Sequence, residues 1–77
     1  MRNVVLYTRA GCLLCDEARN VILAVRERRP FAFTEIDIET DDDLVREYGI
    51  RIPVVTVDGE ERFEIAVARG VFEGIVA

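Results

Sequence analysis

The chain has 77 residues, 51% of them apolar, and a formal net charge of −5, with ten arginines, no lysine and no histidine. This size and composition predict a single globular domain over residues 1–77. An acidic chain without a basic stripe argues against nucleic-acid binding, because contacts between basic side chains and phosphates supply most of that affinity.

The first predicted element is a buried strand at Val4–Thr8, followed by Gly11-Cys12-Leu13-Leu14-Cys15 and a helical pattern of about four turns. Pro30 ends this helix. On a helical wheel, Cys15 falls at the edge of the apolar face and Cys12 well outside it, so we expect Cys15 to be sheltered and Cys12 exposed. The predicted core face consists of Leu14, Ala18, Val21, Ile22 and Val25.

A second strand is predicted at Phe31–Ile38, with apolar residues on both faces. Apolar residues on both faces indicate a central or doubly covered position, and a strand–helix–strand order makes the first two strands parallel. The next helix is capped by Thr40 or Asp41 and ends at Gly49.

The third predicted strand is Ile50–Val57, with Pro53 at its beginning because proline cannot donate a ladder hydrogen bond. Asp58-Gly59 predicts a hairpin turn into a returning strand at Glu60–Ile65. A short last helix follows, with apolar residues at helical spacing: Ile65, Ala68, Phe72, Ile75 and Val76. The order β-α-β-α-β-β-α predicts an α/β fold, a four-stranded mixed sheet with helices on both faces.

The two cysteines, spaced C-x-x-C at a helix start, are the first candidates for chemistry. A helix N-terminus carries about half a positive charge and stabilises a thiolate, and Arg9 adds a cation nearby. Asp16, one turn later, opposes this effect, so we expect a moderately lowered pKa for Cys12. Cys12 would then attack a disulfide and Cys15 would resolve the mixed disulfide. Such an exchange needs no metal or organic cofactor, and Leu13 beside Cys12 can supply part of an apolar docking surface.

Half a zinc site has the same C-x-x-C spacing, so other functions stay open. A closed zinc site needs two more ligands, and the chain has no other cysteine and no histidine; metal would require carboxylates or a dimer sharing two cysteine pairs. The alternatives to an enzyme are therefore a non-enzymatic binding module and a redox sensor. Without a membrane-spanning run or a signal-peptide pattern, we expect a cytoplasmic monomer with no membrane partner.

Three stretches, Val5–Cys15, Tyr48–Val54 and Asp58-Gly59, resemble the small glutaredoxin-like branch of the thioredoxin superfamily, and the resemblance covers nearly the whole chain. It implies a thioredoxin-like fold with sheet order 2-1-3-4. It also implies a disulfide reductase whose partners are protein disulfides or low-molecular-weight thiols, with a thiol reductase as electron donor.

The resemblance also assigns roles to single residues. Cys12 would be the nucleophile and Cys15 the resolving thiol, opposite a cis Ile52-Pro53 bond. The backbone of Ile52 would pair with an extended substrate or glutathione, a candidate co-substrate, and Arg9 would approach the glutathione carboxylate. The chain departs from that family by having Leu-Leu between the cysteines instead of Pro-Tyr, and Glu-Ile-Ala-Val at residues 64–67 instead of Gly-Gly followed by Asp.

Overall fold

Residues 1–77 are all described by a computed structural model of the chain. The elements are β1 (Asn3–Thr8), α1 (Leu13–Arg26), β2 (Ala32–Asp37), a 3₁₀ turn (Ile38–Thr40), α2 (Asp42–Tyr48), β3 (Val54–Val57), β4 (Glu60–Glu64) and α3 (Arg69–Val76). This confirms the predicted order β-α-β-α-β-β-α. None of the helices combines the length and apolar content that a membrane span requires.

The four strands form one mixed sheet in the order β2-β1-β3-β4. The central strand β1 pairs in parallel with β2 and antiparallel with β3, which in turn pairs antiparallel with β4. The predicted parallel pair and the 2-1-3-4 order are both confirmed, whereas β2 lies at an edge of the sheet and not in a central position. Because β1 is an interior strand, the loop that follows it places Cys12 near the middle of one end of the sheet.

One face of the sheet carries the main core, under α1 and α3. Phe72 of α3 is fully buried and meets Phe31 and Phe63 edge to face, with ring centroids 5.6 and 6.1 Å away. The buried members of this core are Val4, Leu6, Ala18, Ile22, Val25, Phe31, Val55, Val57, Phe72 and Val76. Strand residues two apart and helix residues three or four apart supply this set, as their periods require.

The opposite face of the sheet is covered by α2 and the 3₁₀ turn. Tyr7 of β1 stacks on Tyr48 of α2 with ring centroids 4.2 Å apart, and Ile38 and Val54 are fully buried. Helices therefore lie on both faces of the sheet, as predicted. Asp41 caps α2 by accepting a hydrogen bond from the Asp43 N–H at 2.8 Å, which settles the predicted choice between Thr40 and Asp41.

Two element boundaries were predicted wrongly. Strand β3 begins at Val54 instead of Ile50, because the preceding residues form a loop on which Ile50 is 96% exposed. Ile65 belongs neither to β4 nor to the last helix: its φ is +71°, and its N–H donates to the Pro53 carbonyl at 2.8 Å. The backbone turns at Ile65, so α3 starts only at Arg69.

Leu14 is also corrected. The wheel placed it on the core face of α1, but it is 45% exposed, whereas Cys15 is fully buried. The core side of the first turn is therefore rotated toward Cys15. Leu14 instead faces a cleft that opens between α1 and residues 65–67.

The β3–β4 hairpin turns at Asp58-Gly59, as predicted, with both residues at positive φ. The Asp58 carboxylate accepts hydrogen bonds from Arg2 at 2.8 Å and from the Asn3 N–H at 2.9 Å, which tie the turn to the start of β1. The bond from Arg2 is the main reason that the pKa of Asp58 is lowered.

An Asp58→Asn variant tests this contact. A lowered folded-state pKa stabilises the protein fully above the ordinary value of 3.8, and this contribution is lost as the pH falls through the folded-state pKa. Asparagine keeps the turn geometry, since Asn-Gly also suits positive φ. We expect the variant to be less stable than the parent at pH 7 and the difference to shrink at pH 3, measured by urea unfolding. Glu60→Gln controls for net charge; an equal difference at both pH values would contradict the prediction.

Candidate active site

Cys12 and Cys15 form a disulfide at the start of α1, with their Cα atoms 5.2 Å apart. Cys12 is the N-cap residue, and its Sγ accepts a hydrogen bond from the Cys15 N–H at 3.1 Å. Cys12 is half-buried, whereas Cys15 has no exposed surface. The predicted asymmetry is thus confirmed in its direction: Cys15 is fully buried, and Cys12 is the more exposed of the two cysteines.

The charges around the disulfide are largely paired. Arg9 Nε lies 2.9 Å from Glu39 Oε1, so the cation next to the dithiol already has a carboxylate partner. Asp16 is bound at 2.8 Å by Arg19, which also holds Glu35 at 2.8 Å. These bonds raise the pKa of Arg19, the bond with Asp16 contributing most. The helix N-terminus, rather than a free cation, is therefore the main electrostatic feature at Cys12, and the substrate-binding role of Arg9 stays a prediction.

The loop before β3 forms the opposite wall of the site. The Ile52-Pro53 bond is cis, as the resemblance implies, and Pro53 is buried. In the β1–β3 register Tyr7 pairs with Val54, so the next step places Pro53 beside Thr8, where β1 leads toward Cys12. Cys12 and the Ile52-Pro53 bond therefore both lie near the carboxyl end of β1.

Ile52 itself has free backbone groups. Neither its N–H nor its C=O makes a backbone hydrogen bond, whereas its neighbours Arg51 and Pro53 both accept from the Ile65 N–H, at 3.2 and 2.8 Å. Unpaired main-chain groups on a fixed loop are able to pair with an added extended segment. The role predicted for Ile52 is not tested by this geometry, but the groups it needs are available.

Arg51, which the sequence reasoning left out of the site, fixes this loop. Its guanidinium donates to the Glu47 carbonyl at 3.0 Å and pairs with Glu61 at 2.9 Å and Glu64 at 3.3 Å. It also lies 5.4 Å from the ring centroid of Tyr48. The hydrogen bond from Arg51 holds the pKa of Glu61 below its usual value. Arg51 therefore joins α2 and β4 on either side of Ile52-Pro53, a contact that no local sequence signal reveals.

Several apolar side chains are exposed on the segments that carry the disulfide, Pro53 and the turn at Ile65. Leu13 is 78% exposed, consistent with the outward direction predicted for it, and Leu14 and Ile65 are each almost half exposed. Ile50, on the loop that carries Pro53, is also exposed. Of these four side chains, Leu14 and Ile65 line one cleft together, so exposed apolar surface is available to a partner at this position.

Thr8 places a buried hydroxyl at the same end of β1. The residue is 7% exposed, and its Oγ1 has no hydrogen-bond partner. A buried hydroxyl without a partner destabilises the folded state. We expect Thr8→Val to raise the free energy of unfolding of the oxidised protein by about 1 kcal/mol, measured by urea denaturation. Thr34→Val on the exposed part of β2 is the control, and a lower stability of Thr8→Val would contradict the prediction.

The structure contains no group of three or more histidine, cysteine, aspartate or glutamate side chains arranged to hold a metal ion. Metal analysis of the purified protein tests for a metal site shared between two copies of the chain.

Comparisons with known proteins place this site in a family context. A family model described as a glutaredoxin-like domain (DUF836) matches residues 3–72. The uncharacterized proteins Mb0520 of Mycobacterium bovis and Rv0508 of Mycobacterium tuberculosis are each 33% identical to the chain over 63 residues. The match covers 75% of this chain and 65% of the length of these relatives.

Solved structures give a similar result. Protein Ne2328 of Nitrosomonas europaea has a TM-score of 0.85 and 26% identity, over 99% of this chain and 92% of that chain. Protein XcR50 of X. campestris has a TM-score of 0.76 and 29% identity, over 94% and 92%. A mutant thioredoxin of Halobacterium salinarum has a TM-score of 0.71 and 20% identity, over 97% and 71%, a similarity of fold.

Proposed function

Because this chain belongs to the glutaredoxin-like family of the thioredoxin superfamily, we propose that it is a thiol–disulfide oxidoreductase that reduces disulfides through Cys12 and Cys15. The observation that carries the proposal is the disulfide at the start of α1, in which Cys12 is half-buried and Cys15 is fully buried. Unequal access is what an attacking and a resolving thiol require.

The first step starts from the reduced protein. The Cys12 thiolate attacks one sulfur of a substrate disulfide, a bond forms between Cys12 and that sulfur, and the other substrate sulfur leaves as a thiolate. The N-terminus of α1 stabilises the Cys12 thiolate, since the Cys15 N–H, which has no acceptor within the helix, donates to the Cys12 sulfur at 3.1 Å.

The second step resolves the mixed disulfide. The Cys15 thiolate attacks the Cys12 sulfur, the bond to the substrate breaks, and the second substrate thiolate leaves. The substrate gains two electrons and the protein becomes the Cys12–Cys15 disulfide. A thiol reductase or a low-molecular-weight thiol returns the two electrons, so the cycle needs no bound metal or organic cofactor.

Four further residues serve the substrate in this proposal. Ile52, held beside Pro53, offers its free N–H and C=O to an extended segment next to the scissile disulfide. Leu13 supplies apolar contact beside Cys12, since its side chain is largely exposed. Arg9 approaches a substrate carboxylate only by exchanging its partner Glu39.

The test is turnover with a protein disulfide. The reduced protein, supplied with dithiothreitol, is expected to accelerate insulin disulfide reduction in a turbidity assay, and its thiol count is expected to fall by two when an oxidant is added. Metal analysis of the same preparation tests the rival hypothesis of a binding module. One zinc ion per chain or per dimer, or an iron–sulfur chromophore, in a protein without turnover would contradict the proposal.

A further inference from the structure

A cleft of ≈ 140 Å³ opens beside the dithiol, between the first two turns of α1 and residues 65–67. Leu14 and Val21 line it from the helix, and Glu17 is its only charged lining residue. The cleft is otherwise apolar, and neither the attack by Cys12 nor the resolution by Cys15 uses it.

Both walls of the cleft are attached to the redox site. Leu14 directly precedes Cys15 in the chain, and the N–H of Ile65 donates to the Pro53 carbonyl at 2.8 Å. Ile65 has a φ of +71°, a conformation that β-branched residues rarely adopt. The two segments that line the cleft are therefore directly connected to the segments that carry the dithiol and Pro53.

The volume of the cleft fits one side chain. An apolar protein cavity of about 150 Å³ holds a benzene molecule, so ≈ 140 Å³ accommodates a side chain of the size of leucine or phenylalanine. Leu14 is 45% exposed and Ile65 44% exposed, and covering both with an apolar group removes this surface from water.

The negative charge of Glu17 at the rim of the cleft favours a bound polypeptide that has a basic residue next to its apolar side chain. Glu17 is exposed and takes part in none of the ion pairs of the chain, whereas Asp16 is neutralised by Arg19. The other nearby cation, Arg9, is paired with Glu39, and the whole chain carries a net charge of −5. A Lys or Arg side chain is complementary to Glu17, and an anionic tripeptide such as glutathione is not.

We propose that this cleft binds one apolar side chain of a disulfide-bearing polypeptide and that Glu17 pairs with a Lys or Arg next to that side chain. The proposal rests on the function proposed above and names its substrate class, an apolar–basic protein segment.

Binding is measured apart from chemistry, with the oxidised protein and ten-residue peptides in which serine replaces cysteine. One peptide carries Leu-Arg beside the serine, the second Ala-Arg and the third Leu-Glu. In NMR titrations we expect shifts at the Ala66 and Val67 amides. We expect affinity about tenfold lower for the Ala-Arg peptide and about two- to fivefold lower for the Leu-Glu peptide, the latter more marked at low salt.

Two variants and a control sharpen the test. Glu17→Arg is expected to invert the preference between the Leu-Arg and Leu-Glu peptides. Ala66→Phe fills the cleft from an exposed position and is expected to remove the advantage of leucine over alanine. Glu27→Arg makes the same charge change at the other end of α1, at an exposed carboxylate outside the ion pairs, and is expected to leave the peptide preferences unchanged.

Equal affinity for the three peptides, or no binding at millimolar concentration, would overturn the cleft proposal. Reduction of a small uncharged disulfide such as hydroxyethyl disulfide is followed separately. Absence of reduction of both this disulfide and insulin would overturn the proposed function, so the two failures are distinguishable.

Discussion

Replacing Cys12 by serine is expected to lower insulin reduction to the uncatalysed background, because Cys12 is the more exposed of the two cysteines and Cys15 is fully buried. A serine hydroxyl is not ionised at neutral pH and cannot attack a disulfide. Turnover is measured by turbidity and by consumption of the thiol reductant. Cys12→Ser activity close to that of the parent would contradict the assignment of Cys12 as the nucleophile.

The matched variant Cys15→Ser is expected to give a different result. The first step still occurs, but no thiol resolves the mixed disulfide, so one substrate half stays bound to Cys12 for each protein molecule. Intact-mass spectrometry and a tryptic map measure this adduct. Absence of the adduct, or its location elsewhere, would contradict the proposed order of the two steps.

The stability of the two cysteine variants has to be compared with that of the reduced parent protein. Both variants lack the Cys12–Cys15 bond, and even a loop this short stabilises the oxidised parent by about 2 kcal/mol in the chain-entropy model. The reduced parent is therefore the control for folding. Glu27→Gln, at the far end of α1, is the control for activity.

Truncating Phe72 is expected to have the largest effect on stability. Its side chain is fully buried and meets Phe31 and Phe63 edge to face, so it holds α3 on the sheet. Phe→Ala changes in cores cost about 3–5 kcal/mol, and a domain of this size has a total stability of roughly 4–12 kcal/mol. We expect Phe72→Ala to lower the urea midpoint steeply and to unfold part of the population at 37 °C.

The adjacent residue supplies the control. Val71 is 59% exposed on the same helix, and Val71→Ala is expected to change stability by no more than about 0.5 kcal/mol. Phe72→Leu retains apolar volume and is expected to lie between the two. Equal midpoints for Phe72→Ala and Val71→Ala would contradict the central packing position of Phe72.

Periodicity predicted the parts of the fold that depend on local pattern. A helix that buries Ala18, Ile22 and Val25 places Cys15 closer than Cys12 to its apolar face, because three residues rotate by about 300° and set the two cysteines about 60° apart. Likewise, Asp58-Gly59 between two predicted strands indicated a tight hairpin. The burial of β1 and of Ala18, Ile22 and Val25 on α1 followed from residue type alone.

The errors arose where tertiary contacts override local pattern. Ile65 suits a strand or a helix equally well, but its N–H is bound by the Pro53 carbonyl, and the backbone turns there. Leu14 was placed in the core because a wheel does not show which part of a helix its neighbours leave uncovered. The cleft joins α1 to residues 65–67, about fifty residues later in the chain, so no local signal reports it.

The ion-pair partners of charged side chains were also not predictable from the sequence. Arg9 was assigned to substrate from its position before Cys12, and its partner Glu39 lies in a 3₁₀ turn that the sequence did not predict. Arg51 reaches carboxylates on two other elements. An arginine looks the same in sequence whether its partner is a substrate or a neighbouring glutamate.

The account depends most on Cys12 being the activated thiol of the reduced protein. The direct measurement is the rate of iodoacetamide alkylation of each cysteine as a function of pH, with peptide mapping. We expect Cys12 to react first, with a half-maximal rate at a pH below the free-thiol pKa of about 8.5. A half-maximal pH for Cys12 at or above that value, or faster alkylation of Cys15, would contradict the account.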